Sequence, residues 1–147
     1  MRNGTGRYAA LIERLVESVL AGPGHTATEL RRAVLARGAR LGGRRDPAEK
    51  PRDGVPAPLA GYVDKVALHA YKVTDEDLVA LKRAGNSDDL LFEVTVSAAL
   101  GAAVGRLERG LSALRGETSP PDPLSTASSS PPVPLSAARR GGTQEQR

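Results

Sequence analysis

The stretch from Val73 to Leu114 constrains this chain more than any other, because its punctuation and apolar spacing describe a helical hairpin. Thr74 can cap a helix, Asp77 stands in the reciprocal position of a capping box, and Val73 with Leu78 supplies a hydrophobic staple. The spacing predicts a first helix from about Asp75 to Ala84, closed by Gly85, where positive φ is wanted. Ser87 then caps a much longer, alanine-rich helix, with Asp88 and Asp89 set against its N-terminal dipole. Phe92, Val96, Leu100, Val104, Leu107, Leu111 and Leu114 form one apolar stripe along it. Leu91, Val94, Ala98, Ala102 and Gly105 form another. A helix apolar on both faces belongs in a core, and its small residues call for close neighbours. Gly101-x-x-x-Gly105 is a close-contact device for packing or for oligomerisation.

The flanking sequence continues in the same helical idiom. Tyr8, Leu11, Ile12, Leu15, Val16, Val19 and Leu20 make one helical face, ended by Gly22-Pro23-Gly24. A second helix is predicted from Thr26, with Glu29 as box partner, through Leu30, Val34 and Leu35 to about Gly38. Residues 39–56 read as a flexible loop with Gly42-Gly43 and prolines at 47, 51 and 56. Pro56 to Tyr71 reads as a helix, with Pro58 in its first turn and Leu59, Val63, Val66, Ala67 and Ala70 on the inner face. Residues 116–147 are rich in Pro, Ser and Gly and cannot bury enough apolar surface to fold, so a disordered tail follows a helical domain over 1–115. The fold class is therefore all-α: a compact bundle of about five helices with a long central one.

Composition narrows the chemistry. The 147 residues contain no cysteine, which excludes disulfides, thiolate catalysis and cysteine-ligated metal. Aromatic residues are 3% of the chain, so Leu, Val and Ala must build the core. No apolar run approaches the ~20 residues that span a bilayer, and Glu13, Arg14 and Glu17 interrupt any signal-peptide core. A cytoplasmic protein without membrane contact is expected. From Arg31 to Asp53, eight basic residues against three acidic ones leave +5 in a chain of +4, so the positive charge is local. Arg31, Arg32, Arg37, Arg40, Arg44, Arg45 and Arg52 could meet a polyanion such as nucleic acid. A solvated basic insertion is the favoured reading, since no aromatic residue stands among these arginines to stack on bases.

The candidate catalytic groups are few. His69 shares its helix with Tyr62 and Asp64 and could act as a general base; an ordinary hydrogen-bonded histidine is the simpler reading. His25 follows a turn, and the two histidines make no metal signature. Asp75, Glu76 and Asp77 follow a helix cap, where the dipole accounts for them, as it does for Asp88 and Asp89. Glu93 stands early in the apolar helix, where a buried carboxylate must be paired or raised in pKa; exposure on the helix's third face is the favoured reading. No metal or cofactor is expected.

The run V-T-D-E-D-L-V-A-L-K-R-A-G-N-S-D-D-L-L-F-E-V-T-V-S-A-A-L-G-A-A-V-G-R-L resembles the alkylhydroperoxidase D-like / carboxymuconolactone decarboxylase-like superfamily. Members of that superfamily carry a short T-x-E-E-h-x-A-L-x-x-A-G-h-S helix (h apolar) leading into a long alanine-rich one. The resemblance covers Leu59 to Leu114 best. It implies an all-α scaffold assembling as a homo-oligomer, typically a trimer or hexamer. Redox members carry Cys-x-x-Cys and a following histidine on the preceding helix. Here that helix reads P-L-A-G-Y-V-D-K-V-A-L-H-A-Y, and the matching positions fall near Ala57, Ala60 and Asp64. Thiol peroxidase activity is thus excluded. What remains is an oligomeric scaffold able to hold a small molecule, with Tyr62, His69, Tyr71 and Glu93 as the candidate pocket.

Two other classes stay open. A helix–turn–helix reading fits the short helix, glycine turn and second helix. Its recognition helix, however, opens on two aspartates and carries no basic or amide side chain until Arg106. The other is a non-catalytic interaction protein that recruits partners through its Pro/Ser tail.

Overall fold

A computed structural model describes residues 4–45 and 54–116. Among them are five α-helices and no strand: α1 (Gly4–Ala21), α2 (Thr28–Gly42), α3 (Ala57–His69), α4 (Asp75–Arg83) and α5 (Asp88–Leu114). A single 3-10 turn, Ala70–Lys72, links α3 to α4. The all-α expectation holds. Residues 117–147 of the predicted tail and 46–53 of the predicted loop, Arg52 included, lie outside the described residues.

The predicted hairpin is present with its caps. The Thr74 N–H donates to Asp77 Oδ2 at 2.9 Å, closing the capping box, and Ser87 Oγ accepts from Leu90 N at 3.2 Å. Gly85 turns the chain at φ 94°. Val73 and Leu78 both pack against the core, which gathers Val34, Leu59, Tyr62, Val63, Val66, Leu81, Leu91 and Val94.

The centre of the molecule is the pair α2–α5. Four glycines bring their backbones together. A Cβ on Gly38 would stand 2.5 Å from the Ala98 carbonyl oxygen, and one on Gly42 equally close to that of Ala102. From the other side, Gly101 and Gly105 press on the carbonyl oxygens of Leu35 and Ala39. Both helices thus present glycines one turn apart, and each lies against the other's main chain. Gly101-x-x-x-Gly105 is used here for packing within the chain.

Several expectations need correction. The second helix begins at Thr28 rather than Thr26, with Ala27 at the cap and no side-chain cap of its own. The Thr26–Glu29 box does not form, because a carboxylate from α5 takes its place. The helix also runs to Gly42 instead of Gly38, ending at Gly43 with φ 107°. The close fit of Gly38, Ala39 and Gly42 on α5 explains the extra turn. The predicted loop over 39–56 therefore starts four residues later, and its Val55 is buried in the core. The helix expected over Pro56–Tyr71 stops at His69, where φ −143° and ψ 52° break it into the 3-10 turn.

The long helix is not buried on both faces. Leu91, Val94, Ala98, Ala102 and Gly105 are buried, whereas Phe92 is 70% exposed and Leu114 85%. α5 is also long and apolar enough, by length and composition, to cross a membrane, contrary to the expectation that no run approached that length. Here its small-residue face packs on α2. The apolar face of α1 is likewise only partly covered, with Leu20 buried, Ile12, Val16 and Val19 half-buried, and Tyr8, Leu11 and Leu15 exposed.

Candidate functional site

The predicted pocket residues do not converge. Tyr62 is buried, and its hydroxyl meets Thr95 Oγ1 at 2.7 Å, bridging α3 to α5. His69 and Tyr71 are exposed and meet edge to face with ring centroids 6.0 Å apart. Lys72 Nζ stands 5.6 Å from the Tyr71 ring centre. Glu93 lies elsewhere, against the α1–α2 turn. Only His69 and Tyr71 are brought together, on an exposed edge.

Glu93 is not exposed, the reading its sequence position favours, but half-buried and paired. Its carboxylate accepts from the backbone N–H of His25 at 2.7 Å and of Thr26 at 2.9 Å. A Cβ on Gly24 would lie 2.6 Å from Glu93 Oε1, so glycine clears the way for the carboxylate. Partial burial alone would raise the Glu93 pKa; the two N–H groups and the Arg31 charge outweigh it and hold the carboxyl below its ordinary value. Arg31, buried in α2, donates to the Val19 and Gly22 carbonyls at 3.0 and 2.9 Å, satisfying the end of α1. His25 Nε2 lies 3.7 Å from Asp89 Oδ2. Three elements thus meet in one polar clamp. Among the described residues, Thr26 Oγ1 and Arg31 Nε in this clamp and Ser97 Oγ on α5 are buried without a hydrogen-bond partner.

The acidic run after Thr74 is explained locally. Lys65 Nζ grips both Asp77 oxygens at 2.6 and 2.7 Å, and with the Thr74 N–H it holds this carboxyl below its usual range. The Thr74 side chain lowers Glu76 in the same way. Among the described residues no group of three or more His, Asp or Glu is placed to hold a metal.

The arginines expected to meet a polyanion are partly committed within the fold. Arg37 forms a two-pronged pair with Asp64 at 2.6 and 2.8 Å, and Arg44 does so with Glu108 at 2.7 and 2.5 Å. Arg31 serves α1. Arg32 and Arg45 are exposed and Arg40 half-buried on or beside α2. The spacing of arginines along the sequence carried no sign of these pairings, whose acids lie far along the chain.

A different site emerges between α1 and the second half of α5. A groove of about 1060 Å³ opens there, with Ile12, Val16, Val104, Leu107 and Leu111 as its walls. Tyr8 stands at one end, Glu13 and Glu17 line the α1 side, and the Arg44–Glu108 pair closes another edge. Compared with protein-family models, curated proteins and solved structures, the chain gives no match. Its chemistry must therefore be read from these residues. Apolar walls with charged groups at the edges suit noncovalent binding of an apolar molecule.

Proposed function

We propose that the chain is a helical scaffold without thiol redox chemistry, of the carboxymuconolactone decarboxylase-like / alkylhydroperoxidase D-like kind. It works as a cytoplasmic homo-oligomer and holds an apolar small molecule between α1 and α5. The observation that carries this reading is the groove itself. Its volume of about 1060 Å³ matches the upper end of small-molecule sites, and its walls are apolar with a few polar groups at the edges. The pocket moves accordingly from Tyr62, His69, Tyr71 and Glu93 to Ile12, Val16, Val104, Leu107 and Leu111. A polyanion partner has less support, since Arg31, Arg37 and Arg44 already have partners inside the fold.

The test uses the apolar dye 1-anilinonaphthalene-8-sulfonate on the full chain. Saturable binding with blue-shifted emission is expected, and Ile12→Glu, which puts a charge into the half-buried wall, should abolish it. Absence of saturable binding, or equal binding by Ile12→Glu, would count against the groove.

A further inference from the structure

One apolar strip of α5 is exposed among the described residues, with Phe92 and Leu107 on the side where it borders the clefts shared with α1. With 3.6 residues per turn, Phe92, Ala99, Ala103, Leu107, Gly110 and Leu114 fall along the side roughly opposite the buried Ala98, Ala102 and Gly105. All six are exposed and uncharged; Arg106, exposed at the edge of the strip beside Ala99 and Gly110, donates across to the Ala67 carbonyl. The strip has large residues towards its ends and small ones at its middle. Gly110 is its oddity: a Cβ there would meet nothing within 4 Å, unlike Gly101 and Gly105, which lie against α2. Glycine is unfavourable in an exposed helix interior, and no contact among the described residues accounts for it.

We propose that this strip is a two-fold contact between two copies of the chain, with the α5 helices antiparallel and crossing at Ala99 and Ala103. The spacing is self-complementary, as a two-fold interface requires. Where Ala99 faces Ala103 of the second copy, the small side chains let the helices approach. Seven residues outward along each helix, Phe92 then faces Gly110 of the second copy. The ring fills the space that the missing side chain leaves, with Leu107 and Leu114 on either side as neighbours one turn away. The symmetry repeats this fit at the other end.

α1 widens the surface. The cleft beside Phe92 and Val96 is bordered by Ser18 of α1 and by Gly22, just after it. Leu11 and Leu15, both exposed, precede Ser18 along the same side of that helix. A strip ~33 Å long and two helices wide gives a footprint of roughly 600–700 Å² per copy, near the ~800 Å² that a stable interface of standard size takes from each partner.

The inference rests on the homo-oligomer reading and gives it a face. It fits a dimer or a hexamer containing two-fold axes, and not a simple trimer. Because the chain has no cysteine, Ala99→Cys and Ala103→Cys each introduce a sole thiol. The two full-length variants, mixed and oxidised, should form the mixed disulfide in at least tenfold excess over either self-linked product. In sedimentation velocity, Phe92→Asp should weaken association at least tenfold without lowering Tm, because the ring is exposed within the protomer. Gly110→Val should do the same, whereas Gly61→Ala, also in open space, should leave association unchanged. An assembly of unchanged mass in Phe92→Asp, or an excess of self-linked products, would overturn this contact and leave the homo-oligomer reading standing. A wild-type chain monomeric at every concentration would overturn both. A monomer that floats with phosphatidylcholine vesicles would assign the strip to lipid, again overturning the contact.

Discussion

At the scale of single residues, four glycines and one carboxylate decide most of the arrangement. Gly105 has no room for a Cβ, because the Ala39 main chain occupies that space. Gly105→Ala should therefore cost about 1–3 kcal/mol despite alanine's better helix propensity, read as a lower midpoint in urea. Gly61→Ala, with nothing within 4 Å, should instead gain up to ~1 kcal/mol. Glu93 offers a test in pH. Its folded pKa lies below the ordinary value of 4.5, so its contribution is present above that value and lost as pH falls through the folded one. Glu93→Gln should lower stability by about 1 kcal/mol at pH 7, less than a fully buried charged hydrogen bond would give. The Tm difference from wild type should shrink as pH falls through the lowered Glu93 pKa, as thermal melts from pH 7 into the acid range would show. A difference of the same size at every pH would deny the carboxylate that role. None of this was legible in sequence beyond the glycine spacing. Gly38-x-x-x-Gly42 repeats the pattern of Gly101-x-x-x-Gly105 and is the one signal that could have paired the two helices.

At the scale of elements, the local signals of the hairpin match the structure, while the Thr26–Glu29 box, the Gly38 stop and the Tyr71 end do not. The caps at Thr74 and Ser87 and the stop at Gly85 depend on residues within one turn, so spacing alone specifies them. The start of α2 depends on Glu93, 67 positions from the Thr26 that it holds, and no local rule reaches that far. The same limit applies to burial. The two apolar stripes of α5 look alike in sequence, yet only the one with small residues can approach the α2 backbone. Asp77→Ala tests the hairpin's entry, since it removes both the reciprocal cap and the Lys65 pair. A lower Tm is expected, with the loss diminishing as pH falls through the depressed Asp77 pKa; hydrogen exchange should report early opening of α4. The candidate pocket failed for a further reason. Tyr62, His69, Tyr71 and Glu93 are close in composition to a catalytic set, but Tyr62 meets Thr95, His69 and Tyr71 meet on an exposed edge, and Glu93 faces the α1–α2 turn.

At the scale of the molecule, the fold divides its apolar surface unequally. One side of α5 is sealed against α2 and α3, while its outer strip and much of α1 remain open. That asymmetry joins the two functional readings, since a groove between α1 and α5 can hold a small molecule and the neighbouring strip can meet a second copy. Native mass spectrometry of the full chain reports both at once. An even-numbered assembly carrying one small molecule per chain, released on denaturation, is the predicted result. A ligand-free monomer over the whole concentration range would contradict the account.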